Sequence, residues 1–230
     1  MATAATKSRS RRQSTRSPAK RPTARRGAGT RARKKEAVQK RIVDAALALF
    51  QSKGFDQTTT KQIARKAKLA EGTIFNYFET KEDIALHFFE LEVDHAIATV
   101  RDSARLRRAP LEERLFALIE AQLEFLAPYE KFIGAAFVHA LRPTSKIAFS
   151  MQALHLRNRY LAFVQELLQE SESIPAGSML TWVAPSVFWI YYVGILLYWL
   201  NDASKGKQHT LALLDRSLKL GVAMLGKGSL

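Results

Sequence analysis

The densest set of recognition groups in this 230-residue chain lies between Thr58 and Phe78. Thr58, Thr59, Thr60 and Lys61 precede Ile63 and Ala64, while Gly72, Thr73, Asn76 and Tyr77 are interleaved with Ile74 and Phe78. Hydroxyl and ammonium groups of this kind donate to phosphate oxygens, and an amide can also pair with the edge of a base. Groups that make or break bonds are not arranged for it. The chain has no cysteine, which removes thiolate nucleophiles, disulfides and cysteine-based zinc sites. His87, His95, His139, His155 and His209 fall at no metal-ligand spacing, and no serine elbow, glycine-rich phosphate loop or paired-carboxylate motif occurs. The expectation is a binding protein that is not an enzyme, with no cofactor and no metal.

Such groups need short helices to hold them. Ile42, Ala45, Ala46, Leu49 and Phe50 recur at helical spacing, so a first amphipathic helix is expected from Glu36, ended by Gly54 as a left-handed cap. Thr59 and Gln62 fit a capping box for a short helix reaching about Ala67. The turn Lys68-Leu69-Ala70 leads to a second short helix, Glu71 to Phe78. Thr80 and Asp83 then cap a helix whose stripe includes Ile84, Phe88 and Leu91. Two short helices joined by a three-residue turn form a helix-turn-helix. Ile63, Ala64, Ala67, Leu69, Ile74 and Phe78 make its inward set, and Lys61, Glu71, Gly72, Thr73, Phe75, Asn76 and Tyr77 its outward one.

The stretch TTTKQIARKAKLAEGTIFNYFETKEDIALHFFE, preceded by LFQSKGFDQT, resembles the tetracycline-repressor (TetR) family over residues 36–90. The matching features are Gly72-Thr73, an aromatic at 75, Tyr77-Phe78 and Lys81-Glu82. Three positions depart from the family pattern. Lys68 stands where the turn usually has Gly, which puts a side chain at positive φ for about 1 kcal/mol. Ala70 replaces a capping Ser, and Phe75 replaces a Tyr and loses its hydroxyl. With the residue chemistry, the resemblance implies Thr60, Lys61, Thr73 and Tyr77 on phosphate and Lys81 as a clamp on the DNA backbone. It implies Asn76 as a reader of adenine, with Gly72 allowing close approach. Glu71 either accepts from cytosine or faces the helix dipole.

Farther on, Pro110 precedes a helix Leu111–Leu126, Pro128 marks a break, and Pro143-Thr144 opens a long helix to about Gln169. Helices near 180–200 and 210–225 close the chain, and no strand-period run appears. Residues 173–201 carry no charge, and Leu180–Leu200 is almost wholly apolar. That meets the length of a transmembrane segment, as in a membrane-anchored or structural helical protein, and equally the needs of a dimer core. Pro185 interrupts the run. The resemblance favours the dimer, because in that family the last two helices pair with their copies in a four-helix bundle. Tyr191, Gly194, Tyr198, Leu214 and Leu218 are the expected interface residues. The resemblance also implies an effector pocket in this region. Phe125, Phe137, Phe149, Trp182, Trp189 and Tyr192 are the aromatics that either line it or fill plain core.

Charge is concentrated at one end. Residues 1–35 hold 13 of the 36 Lys and Arg and no Asp or Glu, leaving 23 bases against 21 acids for the rest. Without large apolar residues this segment is expected to be a disordered basic tail, serving either sequence-independent DNA contact or simple solubility. No apolar run near the N-terminus suggests a secretory signal. The expected fold is all-α: the tail at 1–35, an N-terminal three-helix helix-turn-helix DNA-binding domain at 36–82, and a C-terminal helical ligand-binding and dimerisation domain at 83–230. The expected function is a cytoplasmic, homodimeric transcriptional regulator. It would be a repressor released from a palindromic operator in double-stranded DNA by an apolar or aromatic small-molecule effector.

Overall fold

The computed structural model describes residues 24–140, 142, 145–171 and 180–227. Among them every regular element is helical. The helices are α1 (Ala24–Lys53), α2 (Thr60–Lys66), α3 (Glu71–Phe75), α4 (Lys81–Asp102) and α5 (Leu111–Leu126), then α6 (Glu130–Ala140), α7 (Lys146–Phe149), α8 (Met151–Gln169), α9 (Leu180–Asn201) and α10 (Gln208–Lys227). Short 3-10 turns at Leu106–Arg108, Ala127–Tyr129 and Lys205–Lys207 join some of them. The all-α expectation holds.

The compact body comprises Gln39–Leu230. Its helix α1 buries Ile42, Ala45, Ala46, Leu49 and Phe50, as the periodicity requires. Gly54 ends it at φ 89°, its N–H donating to the Phe50 carbonyl. The helix begins at Ala24, twelve residues ahead of the expected Glu36. Residues 24–35 are dominated by Ala, Arg and Lys, which are strong helix formers. Lack of apolar residues forbids burial, and Arg31–Ala37 are indeed exposed, but it does not forbid a helix. The remainder of the expected tail, residues 1–23, lies outside the described residues.

Three helix starts follow local chemistry. Thr59 and Gln62 form a full capping box on α2, Thr80 and Asp83 form another on α4, and α5 starts directly after Pro110. The long helix expected from Pro143 is divided instead. Ser150 turns extended between α7 and α8 and accepts the Ala153 N–H, so it caps the second piece rather than continuing the first. In the larger part of the body α4 packs on α5 and α8, α8 on α9, and α5 on α10. Phe88, Leu118, Ile119, Tyr160, Val164 and Leu214 are fully buried there. The buried stripe of α4 runs Ile84, Phe88, Glu92, Ala96, Val100; Leu91, expected on it, is 40% exposed.

The helix α9 is apolar on all sides. Tyr192, Ile195 and Trp199 are buried, whereas Val183, Val187, Ile190, Leu197 and Tyr198 face outward. By length and composition Val183–Asn201 could cross a membrane. Its inner face is nevertheless packed against α5, α8 and α10.

Candidate nucleic-acid interface and inner cavity

The helix-turn-helix is built as the sequence requires. Ile63, Ala64, Ala67, Ile74 and Phe78 are buried, and Leu69 is half-buried. The α-helical part of the second helix stops at Phe75, and residues 76–78 complete a further turn in which the Tyr77 and Phe78 N–H groups donate to the Ile74 carbonyl. Ala70 gives that helix no side-chain cap, as its identity implies. Lys68 takes φ 55°, the strained conformation expected of a residue standing where glycine fits. Arg41 of α1 holds this turn, its Nη2 donating to the Ala67 carbonyl at 2.5 Å and reaching the Lys68 carbonyl at 3.4 Å. Nothing in the local sequence announces that brace, because 26 residues separate the partners.

The outward set is available to a partner. Lys61, Glu71, Gly72 and Asn76 are exposed, Phe75 is 51% exposed, and Thr60, Thr73 and Tyr77 are half-buried. Arg65, Lys66 and Lys68 are exposed beside Lys61 and make no ion pair among the described residues, an addition that the run of bases from 61 to 68 could have signalled. Lys81 is placed differently from the expectation. Its Nζ donates to the carbonyls of Phe55 (2.8 Å), Asp56 (3.2 Å) and Thr58 (3.2 Å) and lies 4.6 Å from the Phe55 ring centre. The ammonium is thereby committed to the loop before α2, and its geometry is that of an internal staple.

Two models of known families match this architecture. The model of bacterial regulatory proteins of the tetR family matches residues 42–88, and that of the tetracyclin repressor-like C-terminal domain matches residues 114–230, half of the chain. The chain belongs to the TetR family. The fatty acid metabolism regulator protein of Bacillus subtilis (strain 168) is 31% identical over 86 residues, 37% of this chain and 44% of that protein. The regulator YvkB of the same organism is 51% identical over 45 residues, 20% of this chain and 24% of that protein. The chain thus spans less than half the length of these two curated relatives. The TetR regulator of Nitrosomonas europaea superposes with a TM-score of 0.65 at 21% identity, covering 79% of this chain and 96% of that one. The FadR structure from Bacillus subtilis in complex with stearoyl-CoA gives 0.63 at 22%, covering 80% and 97%. At these identities the solved structures establish the fold. As a TetR-family member the chain belongs with bacterial regulatory proteins rather than with enzymes.

The second part of this regulator encloses a cavity of about 530 Å³ between α4, α5, α6, α7, α8 and α9. Phe137, Phe149, Trp189 and Tyr192 line it. Phe125 does not, because it turns toward α4 and packs on Phe88 and His95, with ring centres 5.5 and 5.4 Å away. The Trp182 side chain lies outside the described residues. Among these apolar walls stands a polar cluster that sequence reasoning missed. The Tyr160 hydroxyl donates to Gln122 Oε1 at 2.7 Å, and the Gln122 side chain neighbours Glu92. Glu92 is only 3% exposed and its Oε1 has no partner. Burial pushes its carboxyl up to about 8, partly offset by the Gln122 side chain. The readable signal was a carboxylate on the apolar stripe of α4.

Of the expected interface residues, Gly194 and Tyr198 are exposed on α9, and Tyr191 is half-buried with its hydroxyl 2.7 Å from Ser217 Oγ. Leu214 and Leu218 are 0% and 6% exposed and belong to the protomer's own core. The amphipathic stripe of α10 is spent on α5 and α9, so its outward apolar residues are instead Leu213, Leu220 and Met224.

Proposed function

We propose that this regulator is a homodimeric repressor that binds a palindromic operator and is released by a small-molecule effector held in the 530 Å³ cavity. Residues 36–82 act as the DNA-binding part and 83–230 as the effector and dimerisation part, with the basic residues of 1–35 adding sequence-independent contact. Thr60, Lys61, Thr73 and Tyr77 bind phosphate, Asn76 reads a base, and the exposed Arg65 and Lys66 add to the attraction. A cytoplasmic location goes with that partner.

The observation that carries the linkage is the double engagement of α6. On one side its Phe132 stacks on Phe50, its backbone bonds to Gln51, and His139 lies 3.8 Å from Asp56 in the loop before α2. On the other side Phe137 and Ala140 line the cavity. An effector that prefers one position of α6 therefore biases the position of the helix-turn-helix, which is the differential affinity that two-state coupling requires. The exposed apolar faces of α9 and α10 support a second copy of the chain as the partner that covers them. FadR of Bacillus subtilis holds stearoyl-CoA and FadR of Thermus thermophilus holds lauroyl-CoA, so acyl-CoA is a first compound class to assay.

Selection of operator DNA from a random pool, followed by protection mapping, tests this reading. The expected footprint is two half-sites about one helical turn apart. Asn76→Ala is expected to lose roughly 1–3 kcal/mol on that operator and to relax preference at one base position. Unchanged affinity and preference would remove Asn76 from the role of reader.

A further inference from the structure

The inner cavity carries two polar groups that the protein itself leaves unanswered. The first is Glu92 Oε1, buried and without a partner in the Tyr160–Gln122–Glu92 cluster. The second is Arg157 on α8. Its buried Nε has no partner, and its guanidinium lies 5.4 Å from the ring centre of Trp189. Several arginines of this part are paired, Arg101 with Glu166, Arg114 with Glu170 and Arg159 with Asp94. Among the described residues Arg157 forms no ion pair with a carboxylate. It and Tyr160 stand one helical turn apart on α8 and both line the cavity, so the guanidinium and the Glu92 cluster share one wall.

Orphan polar groups in a dry site are costly, and a ligand that satisfies them recovers the loss. A bare cationic ligand would have to sit beside a guanidinium that already lacks a counter-ion. A wholly apolar one would leave both groups unanswered. We propose that the cavity takes a molecule with an apolar body ending in one oxyanion, with Arg157 as its counter-ion and the Glu92 carboxyl as hydrogen-bond donor at the same end. The inference rests on the reading that this cavity holds the effector, and it names the effector's chemistry.

The proton on Glu92 fixes the sign of a pH effect. Gln122 from α5, Tyr160 and Arg157 from α8 and Tyr192 from α9 face this part of the cavity, while α6 and α7 contribute only apolar side chains. With its carboxyl raised to about 8 by burial, Glu92 is a neutral donor at pH 7. Above pH 8 it ionises and repels an anionic ligand, so affinity falls as pH rises. For a cationic ligand the slope would be reversed.

The test measures binding of dodecanoate, dodecanoyl-CoA, dodecanol and dodecylammonium to the full-length protein, by calorimetry and tryptophan emission. It compares wild type with Arg157→Gln and Glu92→Gln, after thermal unfolding confirms that both variants fold. Dodecanoate or its CoA thioester is expected to bind at least about tenfold more tightly than dodecanol. Arg157→Gln is expected to erase that preference, and Glu92→Gln to abolish the fall in affinity between pH 7 and 9. A preference for the thioester over the free acid, still lost in Arg157→Gln, would assign the oxyanion to the phosphates rather than to a carboxylate. Equal or tighter binding of dodecanol or dodecylammonium would overturn the proposal, as would failure of all four to bind. If dodecanol or dodecylammonium binds as tightly or more tightly, release of selected operator DNA by it would leave the effector reading standing. Binding of dodecanoate without release would keep the ligand class and overturn the effector reading.

Discussion

The helix-turn-helix and helix α9 both carry an exposed face, and the two faces present opposite chemistry. Around α3 the outward residues are mostly small, polar or charged, with Phe75 the one large apolar side chain among them, while Ile63, Ala64, Ala67, Ile74 and Phe78 are turned inward. On α9 the outward residues are Val183, Val187, Ile190, Gly194 and Tyr198, as apolar as the inner ones. A face that meets phosphate must stay hydrated when free. A face that meets a copy of itself can remain apolar only if it is rarely free. The difference teaches that exposure alone does not mark a functional surface; the chemistry of what is exposed names the partner.

The largest expected effect breaks the α9 side of this contrast. Gly194 is exposed and a Cβ added there meets nothing within 4 Å, so Gly194→Glu is expected to leave the isolated protomer folded. Between two copies it buries an unpaired carboxylate, which costs roughly 3 kcal/mol or more. Light scattering should then report monomer or aggregate with helicity unchanged, and operator binding should be lost although α3 is untouched. A soluble Gly194→Glu dimer that still binds DNA would move the interface elsewhere.

A smaller effect addresses the helix-turn-helix. Lys81→Met removes the donor shared by three loop carbonyls, and a loss of about 1–3 kcal/mol in urea unfolding is expected. Operator affinity should fall with the salt dependence unchanged. A phosphate clamp would instead lower the salt slope by about one and leave stability nearly intact.

The smallest effect is a gain. Lys68 sits at φ 55°, so Lys68→Gly should stabilise the protein by about 1 kcal/mol relative to Lys68→Ala, which removes the same charge without relieving the backbone. Equal urea midpoints for the two would show that the Arg41 brace, not glycine's freedom, governs this turn.

The sequence was most legible where structure is decided within four residues. The Thr59–Gln62 and Thr80–Asp83 boxes, the Gly54 cap and the Pro110 start all rest on such contacts. It was least legible where a side chain's role depends on distant neighbours. Lys81 was read as a DNA contact because its acceptors lie 23 to 26 residues away. Leu214 and Leu218 were read as interface because a stripe announces that it is buried, not against what. For α9 no stripe exists, so the inward turn of Tyr192, Ile195 and Trp199 had no signature. Glu92 and Arg157 sit on different helices, and only packing brings them to one cavity wall.

The double engagement of α6 has a genetic consequence. Its eleven residues serve two masters on opposite sides, so substitutions there should sort into two phenotypes by face. Changes at His139, against Asp56, would yield strains in which the target genes are switched on permanently. Changes at Phe137 or Ala140, against the cavity, would yield strains that stay silent when inducer is added. A single short helix would thus collect both constitutive and uninducible alleles, interleaved along its sequence with helical rather than random spacing.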